Sequence, residues 1–214
     1  MKRNYLRSLG LCGVAGPALF TLTTIVCSSM RPDYNHISDL ISELGATGTP
    51  HAQLMNFAGF IPAGAMAVCF GITLFFVLPK RILTRIGAAL FTMFGLGVIV
   101  QGLFSCDPGC PIKGSMEHTV HDQVAGPTFL CAIIGALLLG ISFRKFSEWR
   151  KLWIFTVLSA AVSLCFLVGV IITFETRTLT GLWQRLLVLT LFAWMAIFGL
   201  HILKSRADDA ASSG

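Results

Sequence analysis

The sequence predicts an all-α membrane protein: a bundle of six transmembrane helices, both termini cytoplasmic, with a short amphipathic helix in the first outer loop. Three observations carry this. The 214 residues are 55% apolar with a mean hydropathy of +0.77, far above a soluble domain, which needs polar residues to cover its surface. Six separate apolar runs are long enough to cross a bilayer core, which takes roughly 20 residues at about 1.5 Å each. Lys and Arg fall in clusters that alternate between successive connections. Backbone groups in lipid must be bonded internally, so the runs are read as helices.

The runs are 9–30, 51–78, 86–105, 124–143, 152–174 and 182–203. The first follows MKRNYLR, which resembles the n-region of a signal peptide. The run is long enough to span and no A-x-A site follows, so a retained helix is expected. With the N-terminus inside, the inner segments carry Lys2, Arg3 and Arg7, then Lys80, Arg81 and Arg85. They continue with Arg144, Lys145, Arg150 and Lys151, then Lys204 and Arg206. The outer side has only Arg31, Lys113, Arg177 and Arg185. The positive-inside rule therefore favours both termini in the cytoplasm. The formal charge of +6 follows from these clusters, and no nucleic-acid partner is expected. Residues 1–206 form one domain in this reading, and 207–214 a flexible polar tail. Pro17, Pro62 and Pro127 fall inside helices and are candidate kinks. Gly59, Gly64, Gly87, Gly95, Gly97 and the Ala136–Gly140 pair permit close helix approach.

Acidic residues show the opposite bias. Asp33, Asp39, Glu43, Asp107, Glu117, Asp122 and Glu175 lie outside, as do His36, His51, His118 and His121. Topology does not require this, because acids contribute little to it, so a site is sought on the outer face. The longest polar interval is 33–50, DYNHISDLISELGATGTP. Ile37, Leu40, Ile41 and Leu44 recur at i, i+3, i+4, i+7, and His36, Asp39 and Glu43 fall on a neighbouring face. Asn35 is the expected N-cap and Gly45 the C′ residue of an amphipathic helix.

The second outer loop opens with Cys106-Asp-Pro-Gly-Cys110. Pro-Gly suits the centre of a type II turn, and an extracytoplasmic loop permits a Cys106–Cys110 disulfide. The other five cysteines lie in apolar runs and read as small hydrophobes. In SMEHTVHDQ, Ser115 is positioned to cap a helix running into the fourth span. His118, His121 and Asp122 then share a face. Three readings stay open for them: a hydrogen-bonded network closing the bundle, a divalent metal such as zinc, or metal-free acid–base chemistry. Near the outer end of the last span, Arg185 is costly in lipid. It is expected to pair with an acid such as Asp39, Glu43 or Asp122, or to bind a lipid phosphate.

HISDLISELGATGTPHAQLMN, the H-x-x-H-D segment before the fourth span and G-L-W-Q-R before the sixth resemble the bacterial and archaeal family known as domain of unknown function 998. That resemblance implies a six-helix protein of the bacterial inner membrane and supplies no reaction. A fainter likeness to the FRAG–DRAM–SFK six-helix superfamily, associated with lipid remodelling, implies motif positions at Ser38, Asp39, Ser42, Glu43 and Gly45. The intramembrane hydrolases that include alkaline ceramidases combine Ser, Asp and three His around zinc. His36, Ser38, Asp39, His118, His121 and Asp122 supply those types here. The His-x-x-x-His spacing and a seventh helix are missing.

The expected function is binding of a lipid or small ligand at the outer face, with membrane lipids as partners. His36, Ser38, Asp39, Glu43, His118, His121, Asp122 and Arg185 are the candidate ligand-binding residues, gathered into one pocket. A metal-dependent lipid hydrolase or transferase and a proton-coupled transporter are the alternatives. No residue is singled out as catalytic, and the oligomeric state is not set.

Overall fold

The computed structural model describes residues 9–211. Six helices in it are long and apolar enough to cross a membrane, and there is no strand among the described residues. A single 3-10 turn, Leu9–Leu11, leads into α1 (Cys12–Ser29). Helix α2 spans Ala52–Val77, and its stretch Met55–Phe60 is π-helical. Then follow α3 (Ile82–Leu103), α4 (Met116–Phe143), α5 (Trp153–Thr173) and α6 (Thr180–Ala211). Three of the joins, 78–81, 144–152 and 174–179, are far too short to recross a bilayer, so the helices they link run antiparallel. The expected basic cluster Lys2, Arg3 and Arg7 lies outside the described residues, as do residues 212–214 of the expected tail.

Each helix packs on its sequence neighbours, and α1 packs on α6, so the six close into a ring. Aromatic side chains fill the centre: Phe70, Phe91, Trp194 and Phe198 are fully buried. Trp194 stacks on Phe198 with ring centroids 4.5 Å apart, and its indole N–H donates to Thr156 Oγ1 of α5 at 3.2 Å. Small residues let backbones meet. A Cβ added at Gly95 would lie 2.5 Å from Val68 N, and one at Gly87 2.9 Å from Gly135 O. Ile154, Leu158, Ile171 and Ile172 of α5 stay exposed, as a lipid-facing helix requires.

The π-helical stretch of α2 has a local cause. Pro62 has no N–H to give the Ala58 carbonyl, and its ring crowds that carbonyl. The freed oxygen accepts from Thr23 Oγ1 of α1 at 3.3 Å instead.

The first long loop differs from the expected amphipathic helix. Residues 35–39 make one turn, closed by Asp39 N–H to Asn35 O at 2.8 Å. Leu40 is extended (φ −69°, ψ 149°), and a 3-10 helix, Ile41–Gly45, follows. The break at Leu40 removes the helical register, so His36, Asp39 and Glu43 share no face. Every residue of the 3-10 helix is buried, so it is a plug rather than a surface helix. Gly45 is not a left-handed C′ residue: a Cβ there would lie 2.2 Å from Asn56 Oδ1.

Candidate functional site

At the end of the ring that carries the long loops, the polar residues divide into two groups. The first is a cap. Three bonds staple residues 37–41 to the start of α6. Leu182 N–H donates to Ile37 O (3.0 Å), Ile41 N–H to Gln184 Oε1 (2.6 Å), and Arg185 Nη1 to Asp39 O (2.8 Å). Arg185 also donates to Gly181 O and to the hydroxyl of buried Tyr34, which in turn donates to Leu40 O at 2.9 Å. Only glycine fits at position 181, because a Cβ would lie 2.3 Å from Asp39 O.

Arg185 thus binds two carbonyls and a phenol, not the carboxylate partner expected from the sequence. The Asp39 carboxylate is satisfied within its own turn, by Asn35 N–H (2.8 Å) and Ser38 Oγ (2.7 Å). His36 is exposed and lies edge-on to Tyr34. The cap holds two ion pairs, the buried Glu43 with Arg177 at 3.3 Å and the exposed Asp33 with Arg31 at 3.6 Å, and Glu43 Oε1 also accepts Leu40 N–H at 3.1 Å. Arg177, at a left-handed φ of 56°, reaches on to the carbonyls of Gly109 and Cys110. One guanidinium therefore ties the third loop to the first and second.

The second loop forms as its sequence predicts. Cys106 and Cys110 are joined by a disulfide, with Cα atoms 5.2 Å apart. Cys110 N–H closes the turn onto Asp107 O at 2.8 Å, with Gly109 at φ +78°. Ser115 caps α4, its Oγ accepting His118 N–H at 3.1 Å. The Asp107 carboxylate accepts both the N–H and the hydroxyl of Ser115, at 2.7 and 2.9 Å.

Burial raises the Glu43 carboxyl above its ordinary 4.5, only partly opposed by Leu40 N–H and Arg177. Burial likewise pushes Tyr34 up to about 12, against the pull of Arg185. The two Ser115 bonds hold Asp107 below its ordinary 3.8. A raised carboxyl contributes stability that is complete below 4.5 and is lost as pH rises through its folded value. A depressed one contributes above 3.8 and is lost as pH falls through its folded value. Acidification from neutral toward 4.5 should therefore keep or increase amide protection in residues 36–47 and leave residues 104–118 unchanged. Hydrogen exchange corrected for intrinsic rate reads this. Loss of protection in 36–47 over that interval would contradict the assignment of Glu43.

The second polar group lines a cavity of about 380 Å³ beneath the cap, between α4, α5 and α6. From α4 come His118, His121, Asp122, Ala125, Gly126 and Phe129. Leu167, Val170, Ile171 and Phe174 face them, and Gln184 and Leu187 come from α6. Leu40, Ser42 and Cys110 close the top. Of the candidate residues, only His118, His121 and Asp122 line this space. His36, Ser38, Asp39, Glu43 and Arg185 do not, so the single pocket expected from the sequence is two structures.

The two histidines hold fixed and opposite roles. Asp107 N–H points at His118 Nδ1 at 3.4 Å, so that nitrogen is the acceptor and Nε2 carries the proton. His118 is 2% exposed, and its Nε2 has no hydrogen-bond partner. Gly114 lies against the Cγ–Cδ2 edge of the ring, and His118 as a whole belongs to the cavity wall. His121 Nδ1 lies 2.8 Å from Phe104 O and 3.2 Å from Gln101 O. Carbonyls only accept, so Nδ1 is protonated and Nε2 is a free acceptor. One imidazole offers a donor, the other an acceptor.

A protein zinc site takes at least three ligands. Among the described residues, no three His, Cys, Asp or Glu side chains come together to hold a metal ion. Both Nδ1 atoms are engaged, so each ring has only Nε2 left for a ligand, and Asp122 is exposed at the rim.

Tyr34, Arg177, Gln184, Asn56 and Asp107 hold the site together, and none was a candidate from the sequence. Asn56 Nδ2 donates to Gly45 O and to Ser105 Oγ, both at 2.9 Å. Gln184 carried a signal: an amide beside an arginine in the outer turn of a membrane helix implies a partner for each. Tyr34 and Arg177 carried none, since their roles depend on contacts far apart in sequence.

Six membrane-crossing helices under one hydrogen-bonded cap define an integral membrane protein with no soluble catalytic domain among the described residues. The chain belongs to a family of proteins of unknown function, DUF998, whose model matches residues 14–201. No curated protein and no solved structure matches it.

Proposed function

We propose that the protein holds the polar end of a lipid or other small amphiphile in the cavity between α4, α5 and α6, on the extracytoplasmic side. The side follows from charge: Lys80, Arg81, Arg85, Arg144, Lys145, Arg150 and Lys151 all belong to the opposite end. The observation that carries the reading is the buried His118 N–H without a partner. Leaving a buried donor unsatisfied costs about 1–3 kcal/mol, which a bound oxygen would recover. The volume lies within the usual range for small-molecule sites, and the lower walls are apolar, as an acyl chain requires.

Gly126 provides the test. A Cβ there meets nothing within 4 Å, so Gly126→Phe places a ring in the cavity without disturbing neighbouring backbone. The variant is expected to fold and to lose co-purified lipid in native mass spectrometry. Leu130→Phe, at an exposed position on the same helix, should retain it. Equal lipid occupancy in wild type and Gly126→Phe would end the proposal.

A further inference from the structure

Within that reading, on which this inference rests, we infer that the cavity selects a cationic head that also carries an oxygen, such as the amino-alcohol end of a long-chain amphiphile, and disfavours a phosphate. The cavity wall contains two carboxylates, Asp122 and Glu175, and no Lys or Arg. Both carboxylates are exposed at the rim, and neither forms an ion pair among the described residues. The three guanidiniums that belong to the cap are committed elsewhere: Arg31 donates to Glu43 O at 2.9 Å and lies 3.6 Å from the Asp33 carboxylate. Arg177 holds Glu43 and two loop carbonyls; Arg185 holds Tyr34 and the carbonyls of Asp39 and Gly181. A phosphate at the rim would therefore meet two carboxylates and no Lys or Arg in the cavity wall, and like charges at close range repel.

The buried side of the site asks for different chemistry. His118 presents an N–H with no acceptor, and His121 presents an unprotonated Nε2. A hydroxyl satisfies both kinds of group, because it accepts from one and donates to the other. An ammonium at the rim and a hydroxyl a few bonds deeper meet both requirements in one molecule. The chain would then run past Phe129 and Ile171, and Ile171 is 65% exposed, so its far end can remain among lipid tails.

The test uses four probes of equal chain length with the full-length protein in detergent: a hexadecyl amino alcohol, hexadecylamine, hexadecanol and hexadecyl phosphate. Calorimetric titration should rank the amino alcohol tightest and the phosphate weakest. One charge-assisted bond gives a difference of roughly tenfold or more between the amino alcohol and hexadecanol. Asp122→Asn with Glu175→Gln, both at exposed positions that leave the fold intact, should abolish that difference and spare hexadecanol binding. His118→Phe should abolish the preference for the amino alcohol over hexadecylamine. A phosphate bound as tightly as the amino alcohol, or a preference that survives the double carboxylate variant, overturns the inference. Gly126→Phe separates the two levels of argument. If hexadecanol binds and is lost in Gly126→Phe but the amine confers no advantage, ligand binding stands and the head class falls. If no probe distinguishes Gly126→Phe from wild type, both fall.

Discussion

Arg185→Ala should destabilise the protein by about 2–4 kcal/mol, because hydrogen bonds to a charged group contribute roughly 1.5–3 kcal/mol each and do not add fully. Three bonds are lost at once: to Tyr34 hydroxyl, Asp39 O and Gly181 O. Tyr34 keeps its bond to Leu40 O, and Gly181 O sits in the first turn of α6. The Asp39 carbonyl, however, is left with only the long 3.5 Å contact from the Tyr34 hydroxyl. For a chain of this size the shift in melting temperature is roughly 2–4 °C per kcal/mol. Arg185→Lys should recover only part of it, since one ammonium cannot span three acceptors in a planar fork. Hydrogen exchange should rise in residues 37–41 before the bundle core opens. A variant that melts with the wild type would show that Gln184 and Leu182 suffice to hold the first loop.

Gly95→Ala is the second large effect, and it strikes the bundle rather than the cap. The added Cβ would lie 2.5 Å from Val68 N, 2.8 Å from Gly64 O and 2.9 Å from Ala67 C. All three are backbone atoms of α2, so no side chain can turn aside, and the two helices must separate. Overpacking by one methyl typically costs about 1–3 kcal/mol, and contact with backbone places this substitution at the upper end. Alanine is the better helix former by about 1 kcal/mol, which lessens the net loss without reversing it. Gly126→Ala, where a Cβ meets nothing, is the matched control and should be neutral or stabilising. Thermal unfolding of both in the same detergent decides the point. A Gly95→Ala protein as stable as the control would mean that α2 and α3 are not held at this distance.

Much of this architecture was legible in the chain because it depends on neighbours in sequence. Hydrocarbon demands about 20 apolar residues and internal backbone bonding, so the spans declare themselves. The Ser115 cap, the Pro108–Gly109 turn and the Cys106–Cys110 bridge are each closed within five residues. The same local logic failed over 35–45, where helical spacing was real but no helix formed. Gln184 and Arg185 reach Ile41 and Asp39 from more than a hundred residues away and hold Leu40 extended.

What the sequence determined by itself was therefore the six membrane-spanning segments and the local closures, since lipid immiscibility and short-range hydrogen bonding act on residues already adjacent. Only the tertiary structure decided which polar groups serve the fold and which face a cavity. Asp39, Glu43 and Arg185 became fasteners, while His118, His121 and Asp122 came to line the cavity. The physical reason is that a buried polar group takes whatever partner the packed bundle brings within about 3 Å, and that partner is set by how distant helices dock.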